Sequence, residues 1–197
     1  MTNENRHETP TNTDIKCSVR IKKSGKSYRI FNKKSNLIEI ELKDVYFKFG
    51  IEDYKSKKVL NIYIDKHNDA YSNDDYNNIA DLCSYVANVK KLKDDVYEFR
   101  RLGLDGKGFQ TPIKDIKEYG KDIISLRTYL DYNVDMCMKG VFGSLDPSTD
   151  IKGYRGDVTL FIKTLWTTNN NYGVIIYTKI IDLDRRVKEP IMDKKEK

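Results

Sequence analysis

The sequence predicts a mainly β fold, a β-rich α+β chain with one main helix and a C-terminal β-hairpin. Apolar residues alternate with polar ones over most of residues 15–187, a single segment switches to helical spacing, and two alternating runs flank a polar turn near the end. Alternation at period 2 marks strands with one buried face, whereas recurrence at i, i+3 and i+4 marks a helix.

In chain order, Ile38, Ile40 and Leu42 hold one phase, and Val45, Phe47 and Phe49 hold the other. The flip near Lys43 and Asp44 fits either a β-bulge in one long strand or two strands joined at a sharp bend. After the basic turn Lys55-Ser56-Lys57-Lys58, the residues Leu60, Ile62 and Ile64 face away from Val59, Asn61 and Tyr63. Tyr76, Ile79, Leu82, Cys83, Val86 and Val89 form a helical stripe, with Ser72, Asn73 and Asp74 as candidate caps. Residues 100–120 read as loop, punctuated by Gly103, Gly106, Gly108 and Pro112. Strand character returns with Ile124, Leu126, Thr128 and Leu130 against Ile123, Ser125, Arg127 and Tyr129.

A connection over 140–156 leads to the hairpin. Its first arm sets Val158, Leu160, Ile162 and Trp166 against Thr159, Phe161 and Lys163. Its second arm, after a turn at 167–171, sets Tyr172, Val174, Ile176 and Ile180 against Ile175, Tyr177 and Lys179. Residues 1–14 and the charged tail 188–197 carry no such pattern and are expected to be disordered ends around a single domain, 15–187.

With 36 Lys plus Arg against 30 Asp plus Glu, the chain carries +6 and a pI of about 9.0, which permits a polyanionic partner. Cys17, Cys83 and Cys137 are odd in number and lack any CxxC spacing, so neither a disulfide framework nor a zinc site is expected, and a reducing, intracellular setting fits. The first ten residues have no apolar core of a signal peptide, and no stretch has the roughly 18 apolar residues of a membrane span.

His7 and His67 are the two histidines, too few for Ser-His-Asp, Cys-His or multi-histidine metal chemistry. The glycine cluster 103–108 departs from a phosphate loop because Gly108, not Ser or Thr, follows Lys107. One nuclease-like arrangement remains: Glu41-Leu42-Lys43, which would need Glu39, Asp44 or Asp157 to complete a metal site. No catalytic residue, cofactor or metal is expected.

Four strand segments instead place a ring and a cation two residues apart: Tyr46-Phe47-Lys48, Arg127-Thr128-Tyr129, Phe161-Ile162-Lys163 and Tyr177-Thr178-Lys179. Residues i and i+2 share a face, and the opposite face carries the core. Rings and cations together suit single-stranded nucleic acid, whose bases stack and whose phosphates need neutralising. The candidate interface is therefore Tyr46, Lys48, Tyr63, Arg127, Tyr129, Phe161, Lys163, Tyr177 and Lys179, joined from loops by Lys55, Lys57, Lys58, Arg100, Arg101 and Lys107. Two alternatives stand beside it. The rings could fill a second core layer under snorkelling stems, or they could bury against a partner protein or another copy, as in a virion or host-interaction protein.

The order of bulged strand, short strand, helix, strand and hairpin resembles an OB-fold, a small Greek-key barrel. The block Gly153-Tyr154-Arg155-Gly156-Asp157-Val158-Thr159-Leu160-Phe161-Ile162-Lys163-Thr164-Leu165-Trp166, with Tyr172-Gly173-Val174 and Ile180-Ile181-Asp182-Leu183, looks like the closing hairpin of single-stranded DNA-binding proteins from large DNA viruses and some phages. The resemblance covers about 30 residues of the chain. It implies a non-catalytic protein that protects exposed DNA, with RNA as a second option for the strand, during replication, recombination or repair in the host cell. Many such proteins end in an acidic tail, whereas Asp193-Lys194-Lys195-Glu196-Lys197 is mixed and slightly basic, which puts recruitment of partners by that route in doubt.

Overall fold

The computed structural model describes residues 16–118, 120–141 and 143–186; the expectations for 1–14 and 188–197 lie outside them. β1 (Val19–Ser24) and β2 (Ser27–Asn32) form a hairpin, followed by β3 (Ile38–Phe47) and a second hairpin of β4 (Ile51–Tyr54) and β5 (Lys57–Asp65). Helix α1 (Asn73–Lys91) and the short α2 (Val96–Leu102) separate these from β6 (Gly108–Gln110), β7 (Ile113–Glu118) and β8 (Lys121–Met138). β9 (Tyr154–Thr167) and β10 (Asn171–Arg186) are the arms of the C-terminal hairpin.

The pairings close a ring of five strands. β3 lies antiparallel between β5 and β9, β5 pairs antiparallel with β8, and β10 pairs antiparallel with β9 and parallel with β8. Closure of this kind removes the exposed edges that an open sheet would present. Ile38, Ile40, Leu42, Leu60, Ile62, Ile64, Leu126, Val158, Leu160, Ile162 and Ile176 all point inward and are buried, as their alternation predicts. The expected mainly β architecture with one main helix is the observed one.

β3 is a single bulged strand. Its pairing with β9 steps from Leu42↔Val158 to Val45↔Gly156, so two residues oppose one, and Asp44 takes a φ of 46°. Arg155 holds that bent backbone, reaching the Asp44 carboxylate with Nε at 2.8 Å and the Asp44 carbonyl at 2.7 Å. The Asp44 N–H donates to Asp157.

α1 begins at Ser72, whose hydroxyl accepts from the Asp75 N–H while the Asp75 carboxylate accepts from the Ser72 N–H. Its buried residues are Leu82, Tyr85, Val86 and Val89, and it packs against β1, β3 and β10. Tyr76, expected in the apolar stripe, is 39% exposed, and its hydroxyl donates to the Asn68 carbonyl.

Three expectations need correction. Residues 100–120 are not all loop: α2 ends there on the left-handed Gly103, and β6 and β7 add to β10 and β8. Short edge strands with few apolar residues carry little periodic signal. Trp166 and Ile180 were expected on the core side, but β9 bulges at Lys163 and β10 at Lys179, and each extra residue shifts the phase by one. Leu165 and Ile181 take the inner positions, leaving Trp166 and Ile180 half-buried on the outer face.

Candidate nucleic-acid interface

On the outer face of the barrel, the register sets Phe161 of β9 opposite Tyr177 of β10, and Tyr177 opposite Tyr129 of β8. Three rings thus form one row across three neighbouring strands. The rings of Tyr129 and Tyr177 lie 6.4 Å apart, tilted by 48°. All three are half-buried, and each carries a cation: Lys179 at 5.0 Å from the Phe161 centroid, Lys163 at 5.6 Å from Tyr177, and Lys57 at 5.4 Å from Tyr129. Lys163 also lies 3.7 Å from Asp131. Burial pushes the Tyr177 hydroxyl up, with Asp131 and Tyr129 adding to the effect.

Beside the row opens a cleft of about 510 Å³ lined by Tyr54, Gln110, Arg127, Tyr129, Trp166 and Thr168, among others. Its walls come from separate parts of the barrel. The β4–β5 hairpin supplies Tyr54, over which the Arg127 guanidinium stacks at 4.1 Å and beside which Lys55 lies at 5.4 Å. That hairpin turns tightly through Lys55 and Ser56, both left-handed at φ 46° and 63°. The β9–β10 turn forms the opposite wall and is held by Lys107, which donates to the carbonyls of Thr168 and Asn169, the latter at 2.9 Å. Trp166 stands opposite Gly173, where a Cβ would meet the indole Nε1 at 2.7 Å and the Gln110 carbonyl at 2.6 Å. Glycine at 173 is what lets the indole lie against β10.

A five-stranded Greek-key barrel that binds oligonucleotides or oligosaccharides does so on the face of its second and third strands, between the loop joining strands one and two and the loop joining strands four and five. Counting β3, β5, β8, β9 and β10 as the five, Tyr54 and Lys55 belong to the first loop, Arg127 and Tyr129 to the third strand, and Trp166 and Thr168 to the edge of the last loop. The architecture is an OB-like barrel.

No family model and no curated protein matches the chain. Among solved structures it is similar to gp2.5, a single-stranded DNA-binding protein encoded by bacteriophage T7, at 12% identity and a TM-score of 0.48 over 78% of this chain and 89% of that one. It is also similar to the single-stranded DNA-binding protein from bacteriophage Enc34, at 14% identity and a TM-score of 0.43 over 91% of this chain and 96% of that one. The Enc34 protein in complex with single-stranded DNA gives 13% identity and a TM-score of 0.40, covering 88% and 98%.

The remaining sequence candidates fall into other groups. Tyr46 and Tyr63 face each other across β3 and β5, with Lys48 5.8 Å from the Tyr63 centroid and Phe49 packed edge-on at 6.0 Å. This cluster lies on the same outer surface but four residues along β5 from Val59, the partner of Tyr129, or roughly 13 Å. Lys48 is ion-paired to Glu118 there. Lys58 lies 3.6 Å from Asp53 on the β4–β5 hairpin.

Arg100 and Arg101 sit on α2, outside both clusters. Arg100 lies 3.9 Å from Asp105, and Arg101 pairs with Glu98 at 2.5 Å and reaches the Ile21 carbonyl at 3.3 Å. The nuclease-like triplet is tied up in ion pairs: Lys43 with Glu41 and with Asp157 at 3.3 Å, and Lys139 with Asp157 at 2.9 Å. Among the described residues no group of three or more His, Cys, Asp or Glu is placed to hold a metal ion, and no helix is long and apolar enough to cross a membrane.

Sequence reasoning missed Tyr54, Trp166 and Tyr132. Tyr54 ends a four-residue strand too short to show alternation. Tyr132 is 98% exposed where β8 departs from β10, whose pairing jumps from Leu130 to Asp135.

Proposed function

We propose that this chain binds single-stranded DNA without catalysing a reaction on it, holding exposed strands in replication, recombination or repair. The cleft carries the reading: an open groove between two barrel loops with Tyr54, Tyr129, Trp166 and the Arg127 guanidinium in its walls, beside the row of rings and lysines on β8, β9 and β10. Bases stack on Tyr129, Tyr177, Phe161 and Trp166, while Lys55, Lys57, Arg127, Lys163 and Lys179 meet phosphates.

Magnitudes favour exchange of partners on these rings. A lysine resting on an exposed ring gains about 0.5–1 kcal/mol, whereas a stacked base gains about 1–3 kcal/mol. Arriving bases displace the ammonium groups, which become available to the adjoining phosphates. The ring faces accept bases already free of pairing, so duplex is the poorer ligand.

Trp166 is the single tryptophan of the chain and lies in the cleft, so its emission reports occupancy directly. Titration with oligo-dT is expected to change Trp166 fluorescence saturably, and Arg127→Ala with Tyr129→Ala should weaken that response at least tenfold. An emission unaffected by oligonucleotide, together with self-association that salt does not weaken, would replace this reading with a protein–protein interface.

A further inference from the structure

A cluster of cations without carboxylate partners among the described residues lies outside the cleft, on the β1–β2 hairpin. No Asp or Glu occurs between Asp14 and Glu39, while the same stretch holds Arg20, Lys22, Lys23, Lys26 and Arg29. On the barrel several cations are matched by acids, as in Lys43 with Asp157, Lys48 with Glu118, Lys121 with Asp65 and Arg155 with Asp44. On the hairpin's outer face Lys22 stands directly opposite Arg29, and neither has a carboxylate partner among the described residues. Like charges directly opposite each other on neighbouring strands destabilise a sheet. Folding gains nothing from that pair.

The face is also placed to be used. β2 joins β9 through Arg29↔Thr164, and Thr164 pairs on with Ile175 of β10, so the exposed Arg29 continues the outer surface that carries Phe161 and Tyr177. Arg29-Ile30-Phe31 repeats the cation-and-ring spacing of the barrel strands, and Phe31 is half-buried opposite the exposed Arg20. Arg20 and Lys22 stand two residues apart, about 7 Å, an interval that the phosphates of an extended strand can follow. Arg20, Lys22 and Phe31 line a groove that also contains Asp95 and Glu98, but Asp95 caps α2 and Glu98 is paired with Arg101, so neither acid is paired with these cations. Arg101 meanwhile covers the edge carbonyl of Ile21.

We infer that the outer face of the β1–β2 hairpin, through Arg20, Lys22, Arg29 and Phe31, is a second contact surface for single-stranded nucleic acid that lengthens the track beyond the barrel cleft. The inference rests on the proposed single-strand binding, and oligonucleotide length separates the two. Oligo-dT of about 6 nucleotides, within the span of one OB barrel, and of about 20, beyond it, are both titrated against the full chain and against Arg20→Gln/Lys22→Gln/Arg29→Gln over a range of salt.

The expected result is a short-oligonucleotide affinity within twofold of the parent. The long-oligonucleotide affinity should fall at least tenfold, with a log–log salt slope shallower by about 2, at about 0.7 per lost phosphate contact. The melting temperature should be unchanged or higher, since a like-charge pair is removed.

An unchanged slope with the long oligonucleotide, or equal losses for both lengths, overturns the inference and leaves the cleft reading standing. Failure of the parent chain to bind either length overturns both. Retention on immobilised poly-glutamate that the variant loses, with the slope unchanged, would assign the face to an acidic polypeptide instead.

Discussion

Asp157, four residues along β9 from Phe161 on the same outer face, shows how one side chain links charge to stability. Burial alone would raise its carboxyl, but the Asp44 N–H and the ammonium groups of Lys139 and Lys43 outweigh burial and hold it below the usual carboxylate range. A group held low in the folded state contributes stability that is present above its unfolded value, about 3.9, and is lost as pH falls through the folded value. Asp157→Asn is therefore expected to cost about 1.5–3 kcal/mol at pH 7 and to flatten the loss of stability below about pH 4, both read from urea melts. In the ring row, Phe161→Ala with Tyr177→Ala should cost about 2–4 kcal/mol of oligo-dT affinity at 1–2 per stacked base, with much less change in the melting temperature. At the hairpin tip, Lys55→Asn with Ser56→Gly supplies the residues that two left-handed positions favour. It should stabilise the fold by about 1 kcal/mol while weakening oligonucleotide binding through the lost charge, a split that a melt and a titration separate.

The strands explain what was legible in the sequence and what was not. Ile38 to Leu42, Leu60 to Ile64, Ile124 to Thr128 and Val158 to Ile162 announced their inner faces because unbroken period-2 alternation has one solution when one side is buried. Lys163 and Lys179 broke the pattern silently: a bulge changes the count of residues, not their type, so Trp166 and Ile180 read as core until the pairing was known. Lys107 read as a phosphate ligand because spacing cannot reveal that its ammonium is spent on two carbonyls of a distant turn. The parallel seam of β8 and β10 offers a test of element pairing. Thr128 and Thr178 are fully buried inside it, their hydroxyls 2.7 Å apart, with Thr128 also 3.2 Å from the Leu60 carbonyl. Thr128→Val should cost about 1–3 kcal/mol by stranding Thr178, and adding Thr178→Val should recover most of it, as denaturant melts of the three variants will show. On β10, Gly173→Ala forces the Gln110 strand or the indole to move and should destabilise by about 1–3 kcal/mol, with a shift in Trp166 emission as its local signature.

At the scale of the whole molecule, cations without a carboxylate partner among the described residues occur on the β1–β2 hairpin (Lys22, Arg29), at the β4–β5 tip (Lys55, Lys57) and in the ring row (Lys179). Oligo-dT affinity should accordingly fall steeply with ionic strength and exceed that for the matching duplex at least tenfold, which fluorescence titration in two salt concentrations can establish. The barrel's ring of strands has a temporal side as well. β10 is the last described strand to be made, yet it supplies the partner for β6, β8 and β9 together, and β3 must wait for β9 across more than a hundred residues of chain. Contacts so distant along the chain are slow to form, and none that involve β10 can form while that strand is still inside the ribosome. A nascent chain up to the end of β9 therefore owns every cation of the hairpin and two of the three rings, but no cleft. On the proposed reading, the cleft's share of strand binding therefore arrives only once β10 has left the ribosome, whereas the hairpin surface is complete long before.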